Sequence, residues 1–286
     1  MSSVGDMHGL RVFGVIVALA LTACGGSESG RSAASSEVAP PVLTIVSDEY
    51  SFEAPEQFSG GVVTVVLDNR NADEMHHATL LKLDDGRTLQ DFVDFVVEAH
   101  KPPTWVTHFG GPEDVLPGRV GRATVILEPG SFLLVCYVGT GFGAPHLEKG
   151  MIRDLEVLEP EVLATEPEHD VILTMKEYGY VLSDSLHAGS QTVRIESTGE
   201  QPHNLLIYRL KPEKQVGDFV AWWFAGREGV APGDPMGGYT ALDPGRHGFF
   251  ELDLEPGSYV FFCLVEDQKD ARPHLMYGMV REVTIT

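Results

Sequence analysis

Hydrophobic and polar residues alternate in short runs along most of the chain, and Gly, Pro, Asn or Asp bounds nearly every run. The runs are rich in β-branched and aromatic residues, which favour short β-strands over helices. The clearest of them are residues 62–67, 123–127 and 131–136 in the first half and 192–195, 249–254 and 258–263 in the second.

One segment in each half follows a different pattern. Residues 89–100 and 216–225 carry apolar side chains at helical spacing, with an Asp near each start. This pattern predicts one helix inserted between the strands of each half. Short strands with a single crossing helix predict an all-β chain in which each half is an antiparallel Greek-key sandwich.

The two halves of the chain are related in sequence, because several motifs recur at a constant offset. The offset is 127 residues for Asp91-Phe92-Val93, Gly110-Gly111, Pro117-Gly118-Arg119 and Glu128-Pro129-Gly130-Ser131, and 128 for Glu49-Tyr50. A chance match at one offset over separated motifs is very improbable, so an internal repeat is indicated. We predict homologous domains at 43–158 and 168–286, joined by a linker at 159–167.

The N-terminal residues predict an export signal. Residues 12–23 form an apolar run after Arg11, too short to span a bilayer of about 30 Å and typical of a signal peptide. The sequence Leu21-Thr22-Ala23-Cys24 resembles a bacterial lipobox, which implies a signal peptide at 1–23, acylation of Cys24 and a membrane anchor. The alternative is an ordinary signal peptide. Residues 24–42, rich in Gly, Ser, Ala and Pro, predict a flexible tether that holds the folded body at the cell envelope, outside the cytoplasm.

Charge narrows the range of partners. The formal net charge is −22, from 42 acidic and 20 basic residues, and no basic stripe is present. Binding to nucleic acid needs such a stripe to displace counterions from phosphates. We therefore predict no nucleic-acid partner.

Cysteine use points to a metal rather than to disulfides. Besides Cys24 the chain has one Cys in each half, so no disulfide can form within a domain. Each Cys is preceded by a distant His and followed by a His and a Met at matching positions. This is the ligand order of a type 1 copper site, whose soft thiolate and thioether suit both copper oxidation states. The predicted ligand sets are His76, Cys136, His146 and Met151 in the first half, and His203, Cys263, His274 and Met279 in the second.

These motifs resemble those of the cupredoxins, the blue copper family, over residues 43–286. The resemblance implies a β-sandwich with copper near one end and one-electron transfer to a redox protein partner in the cell envelope. It also implies that the second His of each site, His146 or His274, lies near the surface and gives the electron a short exit. The other histidines of the two predicted domains, which have no counterpart in the other half, are expected at the surface: His100, His108, His169, His187 and His247.

Two ligand positions leave alternatives open. Asn204 follows His203, as in the family, where its amide ties the ligand loop to the Cys loop, but His77 stands at the matching place in the first half. His77 is therefore a rival to His76, and we expect the second site to bind copper more tightly. Met276 is a rival to Met279, although the residue at its position in the first half is a Glu.

The leading hypothesis is a lipid-anchored copper protein that transfers electrons and is not an enzyme. Copper oxidases and nitrite reductases are a less favoured alternative, because their further copper centres use a His next to the Cys. Here the neighbours are Val135, Tyr137, Phe262 and Leu264. A further alternative is a metal-free structural or partner-binding lipoprotein of the envelope.

Overall fold

A computed structural model describes residues 38–71, 73–99, 101–139 and 144–286 of the chain, all within one compact unit, Glu37–Thr286. The predicted signal peptide, Cys24 and most of the tether lie outside the described residues. In the described part of the chain, no helix is long and apolar enough to cross a membrane.

The first repeat consists of nine strands, one α-helix and a short 3-10 helix. They are β1 (Val42–Asp48), β2 (Ser51–Glu53), β3 (Gln57–Ser59), β4 (Gly61–Asn69), β5 (Thr79–Leu83), α1 (Leu89–Ala99), β6 (Val106–His108), β7 (Val120–Leu127), β8 (Gly130–Val135), the 3-10 helix His146–Lys149 and β9 (Ile152–Leu158).

The second repeat has the same order of elements around its own helix, except that it has eight strands because β3 has no counterpart there. They are β10 (Val171–Lys176), β11 (Gly179–Leu182), β12 (Gly189–Ser197), β13 (His203–Leu210), α2 (Val216–Phe224), β14 (Gly233–Leu242), β15 (His247–Leu254), β16 (Gly257–Phe262), the 3-10 helix His274–Tyr277 and β17 (Val280–Ile285). The all-β prediction and both predicted helices are confirmed, with the second helix ending one residue early.

The strands form three sheets, one of which is shared by the two repeats. The shared sheet has the order β11-β10-β12-β15-β7-β4-β1-β2, and the repeats meet where β15 pairs with β7. Each repeat covers its part of this sheet with a second sheet of its own, in the orders β3-β9-β8-β5-β6 and β14-β13-β16-β17. Each repeat is thus a sandwich, as predicted.

Strand direction differs from the prediction in one respect. The expected sandwich was antiparallel, but β1 runs parallel to β4, β10 runs parallel to β12, and β3 runs parallel to β9. Parallel neighbours need a long connection. Here β2 and β3 supply one of these connections and β11 another.

The core follows from the alternation along the strands. In β1, Leu43 and Ile45 are fully buried while the residues beside them are more exposed, and in β4 the same holds for Val63 and Val65. These side chains meet those of the second sheet, such as Phe132, in one apolar cluster. The helices pack on the outer faces of the second sheets, so the ligand-bearing strands are buried on both sides.

The recurring Gly-Gly pairs bring the two repeats together. The backbone N–H of Gly110 donates to Ala241 O over 2.9 Å, and that of Thr240 donates to Gly111 O over 3.0 Å. Gly110 has φ of +84°, and a Cβ there would collide with the ring of Tyr239 in the second repeat. Only glycine allows this close approach, which places residues 112–115 between the two repeats.

Candidate metal centres

The first predicted site is assembled from three parts of the first repeat. His76 lies in the loop before β5, Cys136 directly follows β8, and His146 begins the 3-10 helix. The Nδ1 atoms of the two histidines are 3.1 Å apart, and Cys136 Sγ lies 3.9 Å from His76 Nδ1 and 3.6 Å from His146 Nδ1. All three residues are fully buried.

The second predicted site has the same arrangement. His203 begins β13, Cys263 follows β16, and His274 begins the second 3-10 helix. The two Nδ1 atoms are 3.0 Å apart, and Cys263 Sγ lies 3.5 Å from His274 Nδ1. The Asn204 backbone N–H also points to Cys263 Sγ at 3.4 Å. These three ligand residues are fully buried as well.

Both triangles fit a single first-row transition-metal ion. An ion held about 2.0 Å from each nitrogen and about 2.3 Å from the sulfur brings the three atoms to separations of roughly 3 to 4 Å. The five distances given above lie in this range, and the ligand atoms of His203, Cys263 and His274 all lie within 4.8 Å of one another. One soft thiolate with two imidazoles in a buried trigonal set is the donor chemistry of a copper electron-transfer site. The residues present therefore fit copper.

The predicted axial methionines are tied by the backbone to both neighbouring ligands. Cys136 donates its N–H to Met151 O over 3.2 Å, and Met151 donates its N–H to His146 O over 3.0 Å. Met279 makes the same two hydrogen bonds in the second repeat, at 3.2 and 3.1 Å. Both methionines are fully buried, whereas the rival Met276 is 44% exposed. The structure therefore favours Met279 over Met276.

Burial sets the protonation of the donor groups. Desolvation, with the neighbouring imidazole, lowers the pKa of His76 and of His274 to about 4, so both rings are neutral at pH 7. Desolvation raises the pKa of Cys136 and of Cys263 to about 12. The thiols are protonated until a bound metal displaces the proton.

Carboxylates lie beside the ring nitrogens that face away from the sites. His146 Nε2 is 3.8 Å from Glu74, His203 Nε2 is 3.6 Å from Glu177, and His274 Nε2 is 3.9 Å from Asp267. When Nδ1 binds a metal, the proton of a neutral imidazole is on Nε2. The carboxylates are too far away to accept a hydrogen bond from Nε2, so they favour that tautomer only through their negative charge.

A tyrosine covers the second His of each site. Tyr50 packs edge-on against His146, with ring centroids 4.9 Å apart, and Tyr178 packs against His274 at 5.4 Å. Both histidines are fully buried beneath these partly exposed rings, so neither imidazole itself reaches solvent. Sequence reasoning missed the role of the tyrosines, although the recurring Glu-Tyr pair was a usable signal.

His77 and Asn204 brace the two sites in the same way. Leu264, next to Cys263, donates its N–H to Asn204 Oδ1 over 2.9 Å, and Tyr137, next to Cys136, donates its N–H to His77 Nε2 over 2.7 Å. His77 is thus turned away from the site, and His76 supplies the ring beside Cys136. In the first repeat the His77 imidazole thus takes the place of the amide as acceptor.

His108, expected at the surface, lies instead where the repeats meet. It is partly buried, and its Nδ1 is 3.0 Å from Asp243 of the second repeat. Asp243 donates its N–H to His108 O over 3.1 Å, and this hydrogen bond lies next to those that Gly110 and Gly111 make with the second repeat. The placement of His108 follows from this row of backbone hydrogen bonds. His169 and His187 are exposed, as expected.

No protein-family profile and no curated protein matches this chain. Among solved structures, reduced auracyanin from Roseiflexus castenholzii is 18% identical over 42% of this chain and 98% of its own, with a TM-score of 0.30. Auracyanin A from Chloroflexus aurantiacus is 17% identical over 42% and 100%, with a TM-score of 0.30. A multicopper oxidase is 13% identical over 86% and 88%, with a TM-score of 0.24. The geometry of the two sites, rather than these similarities, carries the functional conclusion.

Proposed function

We propose that this protein is a lipid-anchored copper protein that carries single electrons outside the cytoplasm, using one type 1 site in each repeat. The observation that carries the proposal is the pair of matching triangles, each made of two histidine Nδ1 atoms and one cysteine Sγ. Their recurrence in both repeats, with the same residue types and nearly the same distances, indicates a common ligand.

Copper, when bound, supplies one-electron redox chemistry. The protein holds the donor atoms in place before the metal arrives: the hydrogen bonds through Met151 and Met279 fix the Cys and His backbones, and Asn204 and His77 fix the Cys loops. Full burial excludes water from the donor atoms. A rigid and dry site needs little rearrangement when an electron arrives or leaves, which favours electron transfer over catalysis on a bound substrate.

The anchor and the partner are part of the same proposal. The lipobox-like sequence ending at Cys24 and the tether after it support attachment to a membrane, with the copper unit held away from the surface. Two acyl chains or more give stable attachment. Replacing Cys24 with Ser is expected to release the protein from the membrane fraction or to block processing of the precursor. A mature, membrane-bound Cys24→Ser protein would contradict the anchor but leave the copper sites untouched.

Copper binding is tested on the purified protein by metal analysis together with visible absorption and electron paramagnetic resonance. A Cu(II)–thiolate bond in a trigonal set is expected to give intense visible absorption. A redox protein partner is then sought by following electron exchange with envelope redox proteins. Protein with free thiols that stays colourless and copper-free would favour the metal-free structural alternative.

A further inference from the structure

A buried carboxylate lies between the two repeats and accepts hydrogen bonds from both. His77 Nδ1 of the first repeat is 2.5 Å from Glu113 Oε1, and Asn204 Nδ2 of the second repeat donates to Glu113 Oε2 over 3.1 Å. Glu113 is only 3% exposed. Both of its oxygens are therefore used by side chains that brace different sites.

The two braces extend this contact to the predicted copper ligands. On one side the path runs from Glu113 through the His77 ring to the N–H of Tyr137, which is bonded to Cys136. On the other side it runs through the Asn204 amide to the N–H of Leu264, which is bonded to Cys263. Four hydrogen bonds of 2.5 to 3.1 Å thus join the two cysteines through one carboxylate.

The direction of each hydrogen bond is fixed by its backbone donor. The Tyr137 N–H can only donate, so His77 Nε2 is the acceptor and the ring proton is on Nδ1, facing Glu113. Likewise the Leu264 N–H fixes Asn204 Oδ1 as acceptor and turns the NH₂ group toward Glu113. With its Nε2 lone pair accepting a hydrogen bond and its Nδ1 protonated, His77 has no free nitrogen for a metal. The cluster of His77, Glu113 and Asp114 is therefore not a third metal site, and two of its members, His77 and Glu113, form a link between the repeats.

We propose that Glu113 is a positioning residue that couples the two copper sites, so that copper at one site shifts the reduction potential of the other. Outer partners of metal ligands tune the metal, and hydrogen bonds in series polarise one another where the dielectric is low. A change at Cys136 thus reaches Cys263 through one shared carboxylate. The path of hydrogen bonds connects the two sites equally from either side, so we expect the effect at both sites.

The coupling is measured by comparing potentials with and without the neighbouring copper, and it rests on the proposed copper function. The potential of the second site is measured in the parent protein and in Cys136→Ser, and that of the first site in the parent and in Cys263→Ser. In each comparison we expect the reduction potential to shift by about 40 mV, which at 59 mV per tenfold is about a fivefold change in the electron-transfer equilibrium.

Two neighbouring carboxylates provide the variant and its control. In Glu113→Gln the side-chain NH₂ group faces one of the two donors, His77 or Asn204, so one hydrogen bond of the path is lost. We expect this variant to abolish the shift in potential at both sites. Asp114→Asn removes the adjacent buried carboxylate, which is outside the path, and is expected to leave the shifts intact. Three results would overturn the proposal: potentials that are the same with and without the neighbouring copper, a difference that persists in Glu113→Gln, or a difference that Asp114→Asn also abolishes. Either of the last two results would indicate through-space electrostatics instead of the hydrogen-bonded path.

The bridge is also tested without copper, by amide hydrogen exchange of the metal-free protein. Asn204→Ala lies in the second repeat but is expected to speed exchange of the Tyr137 amide in the first by about fivefold to tenfold, because one hydrogen bond is worth about 1 kcal/mol. Glu113→Gln is expected to do the same, and Asp114→Asn is not. Unchanged Tyr137 exchange in Asn204→Ala would overturn the bridge even if copper binds. Absence of copper binding, by contrast, would contradict only the proposed function.

Discussion

Tyr178 packs edge-on against His274, with ring centroids 5.4 Å apart and ring planes at 72°, and its hydroxyl donates to Asp267 over 2.5 Å. The tyrosine therefore lies over the ring through which an electron would leave the second site. On the far side Tyr178 stacks on Tyr277, with centroids 4.8 Å apart. Electron exchange with a partner must pass through or around this aromatic cover.

Removing the cover is expected to speed electron exchange at the second site. Tyr178→Ala exposes His274, so reduction of the copper-loaded protein by a small reductant should become severalfold faster, whereas Tyr178→Phe keeps the ring and should change the rate little. Stopped-flow absorption measures both. Tyr50→Ala provides the matched test at the first site. Equal rates in the Ala and Phe variants would show that the ring does not limit access.

Each cysteine is expected to account for half of the bound copper. Cys136→Ser and Cys263→Ser remove the thiolate of one site and leave the other triangle intact, so each variant should bind one ion and keep about half of the visible absorption. Metal analysis and absorption are recorded on the same sample. Loss of all absorption in one single variant would mean that only one site is a thiolate–copper site.

Gly238 is expected to be indispensable for the strand that carries His203. It lies opposite Leu206 in the β13–β14 pair with φ of +146°, and a Cβ there would collide with the carbonyl oxygen of Leu205. Gly238→Ala is expected to cost about 3 kcal/mol or more of unfolding free energy. Denaturant unfolding measures the loss.

Gly245→Ala is the matched control for this prediction. Its φ is +80°, also in the left-handed region, but a Cβ there would meet no atom within 4 Å. The expected cost is only about 1 kcal/mol, from the backbone conformation alone. Equal losses in the two variants would contradict the role given to the close approach of β13 and β14.

Asp114 is expected to make stability depend on pH. Burial, together with the charge of Glu113, raises its pKa to about 7 against the opposing effects of His77 and Arg227. The unfolded chain, with an Asp pKa of about 3.9, binds fewer protons between pH 4 and 7, so the unfolding free energy falls as pH rises through this window. The loss attributable to Asp114 is expected to be of order 2 to 4 kcal/mol.

Asp114→Asn isolates this contribution. Asn tolerates the left-handed backbone at this position, where φ is +43°. We expect the parent and the variant to be similarly stable near pH 4, and the variant to be the more stable by pH 7. Denaturant unfolding from pH 4 to 8 measures the difference, and a constant difference across this range would contradict the raised pKa.

The internal repeat explains why so much of the site could be predicted from the sequence. Cys136, His146 and Met151 each have a partner of the same type in the second half, and their order specifies the donor chemistry before any fold is known. Strand alternation and turn residues predicted the all-β fold for the same local reason. The pairing of β15 with β7 was not predictable, because it forms only when the repeats pack.

The role of Glu113 could not be predicted from the internal repeat. The residue 127 positions later is Thr240, so comparing the halves gives no signal for a carboxylate that serves both sites. Its role arises from tertiary packing, once the Gly-Gly pairs bring residues 112–115 between the repeats. The role of His77 was also hidden. The sequence shows that His77 stands where the second half has Asn, but only the contact with Tyr137 shows that it accepts the same backbone hydrogen bond.

The central claim is that each repeat holds one copper ion between two histidine Nδ1 atoms and one cysteine sulfur. Its most direct test is electron paramagnetic resonance and copper analysis of the purified, oxidised, copper-loaded protein, with the cysteines of a metal-free sample first shown to be free thiols. We predict two Cu(II) ions per chain, each with the narrow hyperfine splitting of a copper–thiolate bond. Copper-free protein, or copper without thiolate coordination, would contradict the claim.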